Sequence, residues 1–306
     1  MHWRLREPTR ESTRGAATLA ITGGTVLRST FCHVFGVGNK IEQRLWEAGV
    51  HDWQTALDRD TIPLSGTRRE SLRKELRESL ARLEAGDARY FGDLLPASEL
   101  WRLFPTFRDS IAYVDIETTG LGSPGDHITT ISLYDGHSIL TYVHGQNLED
   151  FGRDIQRYRL LVTYNGKGFD VPFIRSDLGL AMEHAHIDLR YVLASLGYRG
   201  GLKGCEKQLG IDRGDLVDVD GFFAVLLWRD YTRNANPKAL ETLLAYNVLD
   251  VVNLETLMIL AYDMKLEGTP FEDSGRLPLP AQPANPFRAD LATIYRIRRT
   301  YAARPW

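Results

Sequence analysis

Asp115 and Glu117 interrupt the strongest strand-forming run of this chain, Ala112-Tyr113-Val114-Asp115-Ile116-Glu117, just before the turn signal Thr118-Thr119-Gly120. On a strand, residues i and i+2 point to one face, so the two acids stand side by side at the end of a buried strand. Two partly desolvated carboxylates that close repel each other. Either one takes a proton or a cation neutralises both, and Mg²⁺ and Mn²⁺ prefer carboxylate oxygens. The rest of the chain must then supply further acids to complete such a site.

Bulk composition narrows the setting. At 306 residues the chain has room for two domains, or for one large domain with an extension. Its 43% hydrophobic and 25% charged residues are ordinary globular values. A net charge of −3 rules out a whole-protein basic field, so any nucleic-acid contact must come from local patches. The basic residues are mostly Arg, which suits bidentate phosphate contacts. Cys32 and Cys205 lie far apart without metal-type spacing, as expected of buried thiols in a reducing compartment. No apolar leader follows Met1, and no run reads as a membrane span. The expectation is a cytoplasmic protein without a membrane partner.

The pattern along the chain predicts an α/β layered architecture with a helical segment in front. Residues 1–28 read as a flexible basic tail. Residues 29–95 read as helical, with Leu72, Leu76, Leu80 and Leu83 striping one helix that Gly86 ends. Strands are expected at 111–116, 128–134, 139–143 and 160–164, with a short one at 186–188, inside a domain spanning 96–266. A long helix is expected over about 238–263. Residues 267–306 read as a Pro-rich linker followed by a short basic helix, with Leu291, Ile294, Tyr295 and Tyr301 available for docking.

Two further acids are candidates. Asp170 follows the glycine-rich turn Asn165-Gly166-Lys167-Gly168-Phe169 and opens a helix with Pro172 near its start. By itself such a residue is more often a helix cap than a ligand. Asp250 lies four residues after Tyr246 on the long helix, so the two share a face beside the apolar stripe. A carboxylate there is costly without a partner, which a basic neighbour or a metal would supply. Asp188 reads as a helix cap or a supporting acid, and His127, His184 and His186 as structural or surface residues.

Taken together, Asp-x-Glu at a strand end, Asn-x-x-x-x-Asp at a strand–helix junction and Tyr-x-x-x-Asp on a late helix resemble the DEDD 3′→5′ exonucleases of the ribonuclease H-like fold, Tyr subclass. The phrases Trp101-Arg102-Leu103-Phe104-Pro105, Tyr198-Arg199-Gly200-Gly201-Leu202-Lys203 and Tyr246-Asn247-Val248-Leu249-Asp250 are similar to the YprB-like branch. The resemblance implies a mixed sheet flanked by helices and two divalent ions, Mg²⁺ or Mn²⁺, held by Asp115, Glu117, Asp170 and Asp250, with Asp115 bridging. It implies that Tyr246 orients the attacking water, and that the products are nucleoside 5′-monophosphates. Tyr246 is a poor base at an ordinary pKa of about 10. Thr118, Thr119 and Gly120 would face the sugar of the terminal nucleotide. Asn165, Lys167, Arg199 and Lys203, in or beside glycine-rich loops, are candidate phosphate contacts.

Phe35-Gly36-Val37-Gly38-Asn39-Lys40, running into a helix, looks like a helix-hairpin-helix motif. In that motif turn amides meet a backbone phosphate. Gly36 and Gly38 would form the turn, with Lys40 and Arg44 reinforcing it. The leading expectation is a metal-dependent 3′→5′ exonuclease acting on nucleic acid, DNA ahead of RNA. A helicase partner follows by family analogy only. A structure-specific endonuclease and a non-catalytic nucleic-acid-binding protein are the rivals.

Overall fold

The computed structural model describes residues 25–302. The chain opens with helices α1 (Thr25–Arg28), α2 (Asn39–Glu47), α3 (Trp53–Asp58), α4 (Gly66–Glu84) and α5 (Ala88–Leu94), a 3₁₀ segment (Ala97–Leu103) and α6 (Phe104–Phe107). Strands β1 (Ile111–Thr118), β2 (Ile128–Tyr134) and β3 (Ile139–Val143) follow. Then come α7 (Phe151–Asp154), β4 (Leu160–Thr163), α8 (Asp170–Leu178), β5 (Ala185–Asp188), α9 (Leu189–Ser195) and α10 (Gly201–Gln208). The chain continues through α11 (Gly221–Asn234), α12 (Pro237–Leu266), α13 (Glu272–Gly275) and α14 (Leu291–Ala302).

The five strands form one mixed sheet in the order β3-β2-β1-β4-β5. β1 pairs antiparallel with β2 and parallel with β4, so it is central and buried. Its alternation splits the core in two. Ala112, Val114 and Ile116 pack with Phe151, Val171 and Ile174 on the α7–α8 side. Ile111 and Tyr113 pack on the other side with Val248, Val251 and Met258 of α12. Asp115 and Glu117 continue the α12 side of that alternation. The ladder slips between Glu117 and Thr118. Such an irregularity re-aims the strand end.

The helical segment in front is not packed apart from the sheet. Phe31, Leu45, Trp53, Leu76 and Phe91 belong to the same hydrophobic core as Trp101, Phe104, Leu254 and Tyr262. The clasp is the Trp101-Arg102-Leu103-Phe104-Pro105 phrase. Trp101 and Phe104 meet the Tyr262 ring at centroid distances of 5.6 and 5.9 Å. Arg102, 5% exposed, pairs with Glu42 of α2 and with Glu99, both at 2.9 Å.

Several expectations change. The expected tail at 1–28 lies outside the described residues up to residue 24, but Thr25–Arg28 is helical, with Val26 and Leu27 buried. The long helix runs further than its apolar stripe, from Pro237, capped by Asn236, to Leu266. It is long and apolar enough to cross a membrane by length and composition, contrary to expectation, but 83% of that window is buried inside this fold. In the C-terminal segment, α14 docks through Ile294 and Ile297, while Leu291 and Tyr295 point outward at 41% and 61% exposure. A helix with two apolar faces offers both, and packing against α11 and α12 selects one. The Pro-rich stretch lies along α12, where Gln282 donates to Asn253 Oδ1 (3.1 Å) and Asn285 to the Ala245 carbonyl (2.8 Å).

Candidate active site

Four carboxylates converge where β1 ends against α8 and α12. One oxygen each from Asp115, Glu117 and Asp250 lies within 4.8 Å of the others. Asp170 stands outside that trio but lines the same cavity of about 520 Å³. Its Oδ1 accepts from the Ile116 amide at 3.3 Å, which anchors the first turn of α8 to β1. Asp170 is therefore more than a helix cap: it is 4% exposed and tied to the strand that carries the other acids. Tyr246 lines the cavity one helical turn before Asp250.

The close approach of these elements depends on glycine. A Cβ on Gly120 would collide with the Asp126 carboxylate, and one on Gly166 with the Thr163 side chain. Asp126 accepts from the Gly122 and Ser123 amides at 3.1 and 2.8 Å and so closes the loop after β1. Asp188 does the same on the other side. It caps α9 through the Arg190 amide and accepts the Asn165 and Lys167 amides at 2.7 and 3.0 Å. The cap reading of Asp188 holds, and the same carboxylate also fastens the glycine-rich turn.

Burial dominates the electrostatics. It pushes Asp115 well above the usual carboxylate range, with Asp250, Asp170 and Glu117 adding repulsion and Asn247 opposing it. Glu117 is driven the same way by burial and then by Asp250 and Asp170. Burial raises Asp170 to about 7, against its backbone hydrogen bonds. Asp250 is raised by burial and held back by Arg213. Tyr246 is pushed far above its ordinary value by burial and by Asp250. Its phenol stays protonated, so it can donate or orient a hydrogen bond and cannot serve as a base near neutral pH. The donor set is all carboxylate oxygen and carries more negative charge than its neighbours offset. That fits a hard divalent cation such as Mg²⁺ or Mn²⁺.

Two supporting residues escaped the sequence reading. Asn247, fully buried, donates to Asp115 Oδ2 at 2.7 Å, while its own Oδ1 accepts from Ser132 (2.8 Å) and Thr130 (3.1 Å). Ser132 and Thr130 pair in the sheet with Asp115 and Glu117, so Asn247 reads the register of β1 on β2. Arg213 pairs with Asp250 at 2.5 Å and with Glu206 at 2.8 Å, and Glu206 also accepts from Asn253 at 2.8 Å. An Asn next to Tyr246 on the apolar side of a helix was the available signal for the first. No spacing signal marks the second.

The basic candidates divide. Lys203 comes to the site, its Nζ 5.1 Å from the Tyr246 ring centroid, and the Arg213 guanidinium carbon lies 5.2 Å from the same centroid. Thr118, Thr119, Gly120 and Asn165 line the cavity. Lys167 is exposed and outside that lining, and Arg199 lines a neighbouring cavity with Arg190 and Gly200. Gly36, Gly38, Lys40 and Arg44 are exposed or open on the helical segment, away from the acids. Gly36 takes φ +77° and Gly38 leads into α2, so the expected turn is present. The helix before it is the single turn α1.

Residues 112–262 match the RNase_H_2 family, described as RNase_H superfamily. With the mixed sheet and the acids at the end of its central strand, that segment is a ribonuclease H superfamily domain. The chain is also similar to a YprB protein. Its relative, the uncharacterized protein YprB of Bacillus subtilis (strain 168), is 32% identical over 177 residues, covering 50% of this chain and 42% of the relative. This chain therefore spans less than half of that relative's length. A solved structure, the family B DNA polymerase from the hyperthermophilic archaeon Pyrobaculum calidifontis, is similar at 17% identity with a TM-score of 0.39, over 55% of this chain and 27% of that one.

Proposed function

We propose that this chain is a divalent-metal-dependent 3′→5′ exonuclease that hydrolyses phosphodiester bonds of nucleic acid, with DNA as its polymer. The observation that carries the reading is the convergence of Asp115, Glu117 and Asp250 oxygens within 4.8 Å, with Asp170 and Tyr246 on the same cavity. Bound divalent ions would supply an activated water and stabilise the departing 3′-oxygen. Asp115, Glu117, Asp170 and Asp250 would hold them, and Asn247 fixes which Asp115 oxygen is turned to the protein. Tyr246, protonated, orients the attacking water by hydrogen bond. Thr118, Thr119 and Gly120 face the terminal sugar. The open glycine turn at Gly36 and Gly38, with Lys40 and Arg44, holds the sugar–phosphate backbone away from the cut.

One gel tests the reading. Single- and double-stranded DNA and RNA, 5′-labelled, are incubated with the protein and Mg²⁺, Mn²⁺ or EDTA, beside a closed single-stranded circle. The expected result is a metal-dependent ladder on linear DNA, shortening from the 3′ end, with the circle untouched. Cutting of the circle would replace exonuclease by endonuclease. No cutting of any polymer would sink both.

A further inference from the structure

The acids share their cavity with one stripe of α11. Phe222, Val225 and Arg229 all line it. They are spaced i, i+3, i+7 and so share a helical face. That spacing normally marks a buried stripe, yet here it faces the opening. Phe222 is 55% exposed, and Arg229 is exposed as well. The residues between them, Phe223, Ala224, Leu226 and Leu227, carry the packing against the core instead. Phe222 is braced edge-on by Tyr301 of α14, at 6.4 Å between centroids and 89° between planes.

Arg229 stands apart from the other arginines of this end of the molecule. Arg296 is paired with Asp230 at 2.5 Å, and Arg298 with Asp218 at 2.9 Å. The side chain of Arg229 has no hydrogen-bond or ionic partner among the described residues, and its neighbour Asp230 is committed to Arg296, Asn234 and Asn236. An unpaired guanidinium that lines the same cavity as four carboxylates, without joining them, is suited to an anion that enters that cavity. A braced, exposed aromatic ring on the same stripe is suited to a flat, uncharged group. Phosphate and base are those two groups on one ligand.

We infer that the α11 stripe is the substrate-positioning wall: Phe222 stacks a base near the 3′ end of a single strand and Arg229 binds a phosphate of the same strand. The seven helical steps from Phe222 to Arg229 cover about 10 Å of helix axis. A stacked nucleotide rises about 3.4 Å. The stripe therefore engages more than the terminal nucleotide, and selects an unpaired end whose bases are free to stack. Val225 keeps the wall between the two contacts apolar. This inference rests on the nuclease reading for its ligand, but its test does not need turnover.

The test measures binding of a short 5′-fluorescein-labelled single-stranded oligodeoxynucleotide by anisotropy, with Ca²⁺ in place of Mg²⁺, over a range of salt. Wild type is compared with Phe222→Ala, Phe222→Trp, Arg229→Gln and Arg229→Lys. Phe222→Ala is expected to weaken binding about tenfold, with Phe222→Trp restoring it. Arg229→Gln is expected to weaken it several-fold and to flatten the slope of log Kd against log salt by about 0.7, with Arg229→Lys keeping the slope. Wild type that binds in this way but cuts nothing with Mg²⁺ would sink the nuclease reading and leave the wall standing. Wild type that fails to bind the strand, or Ala and Gln variants that bind it as tightly and with the same salt slope, would overturn the wall.

Discussion

Two clusters of buried charge are built along α12, and they are completed in different ways. In the clasp near Tyr262, Glu42 and Glu99 share Arg102. Glu42 Oε1 accepts from the Phe31 and Cys32 amides and Glu99 Oε1 from Asn39 Nδ2, while Glu99 Oε2 accepts from Trp101 Nε1 as well as from Arg102. Protein donors complete that cluster. Around Asp250, four carboxylates face one cavity. Asn247, Arg213 and the Ile116 amide each hold one oxygen, of Asp115, Asp250 and Asp170 respectively. Arg213 is moreover shared with Glu206. The first cluster spends its charge on the fold, while the second leaves carboxyl oxygens directed into open space, where burial and mutual repulsion oppose their ionisation. A surplus of buried charge is costly to folding. It marks the place where a ligand is needed.

Four measurements would break or sharpen that contrast. The largest effect is expected from Asp115→Asn, which should cut metal-dependent cleavage roughly a thousandfold or more, about 4 kcal/mol of barrier. In EDTA its melting temperature should equal or exceed that of wild type, because one member of a repelling set is gone. A clear loss of stability would mean that Asp115 serves the fold like Glu42. Next, Arg102→Met should behave in the opposite way. It strands two buried glutamates and should cost about 3–5 kcal/mol, a fall in melting temperature on the order of 10 °C. Denaturation with a wild-type midpoint would show that the clasp is held by Trp101 and Phe104 alone.

A smaller change is expected from Asn247→Ala. Loss of a group that orients a ligand commonly weakens metal binding or activity about 10–100-fold, and a titration of Mn²⁺ against cleavage rate would read it. An unchanged Mn²⁺ requirement would remove Asn247 from the site. The smallest effect concerns pH. Asp115, Glu117, Asp170 and Asp250 are all raised in the folded state, so the metal-free protein holds protons that the unfolded chain has released. Its stability is therefore greatest below the unfolded values of 3.8 for the aspartates and 4.5 for Glu117 and falls as pH rises, Asp170 losing its share by about 7. The melting temperature in EDTA should drop by a few degrees between about pH 5 and pH 8. Mn²⁺ should restore it at the higher pH and do little at the lower, because ligands bind metal deprotonated. A flat profile would mean that the cluster is neutralised within the protein.

The four acids and Tyr246 were legible because each sits at a local landmark. Asp115 and Glu117 follow an alternating apolar strand, Asp170 follows a glycine turn, and Asp250 lies one turn after Tyr246. Local patterns of this kind survive in the sequence since they depend on neighbours a few residues away. The supporting set was not legible. Asn247 meets Asp115 across 132 positions, Arg213 meets Asp250 across 37, and Arg102 is 60 residues from Glu42. Nothing local distinguishes Arg213, which pairs with Asp250, from Arg229, which pairs with nothing described, or from Arg199, which lines another cavity. On α14 the sequence offered two apolar faces and could not choose between Tyr295 and Ile297.

By itself, then, the sequence determined the order of the strands along the chain, the face of β1 that carries the acid pair, and the residue types needed for a hard-metal site. These follow from periods of two and 3.6 residues and from carboxylate chemistry. The tertiary structure decided which charges are cancelled and which are left open. It placed Arg102 between two glutamates, put Arg213 on Asp250, and turned the α11 stripe toward the cavity. Electrostatic energy depends on distance and burial in the folded chain, and both are set by packing between elements that the sequence lists far apart.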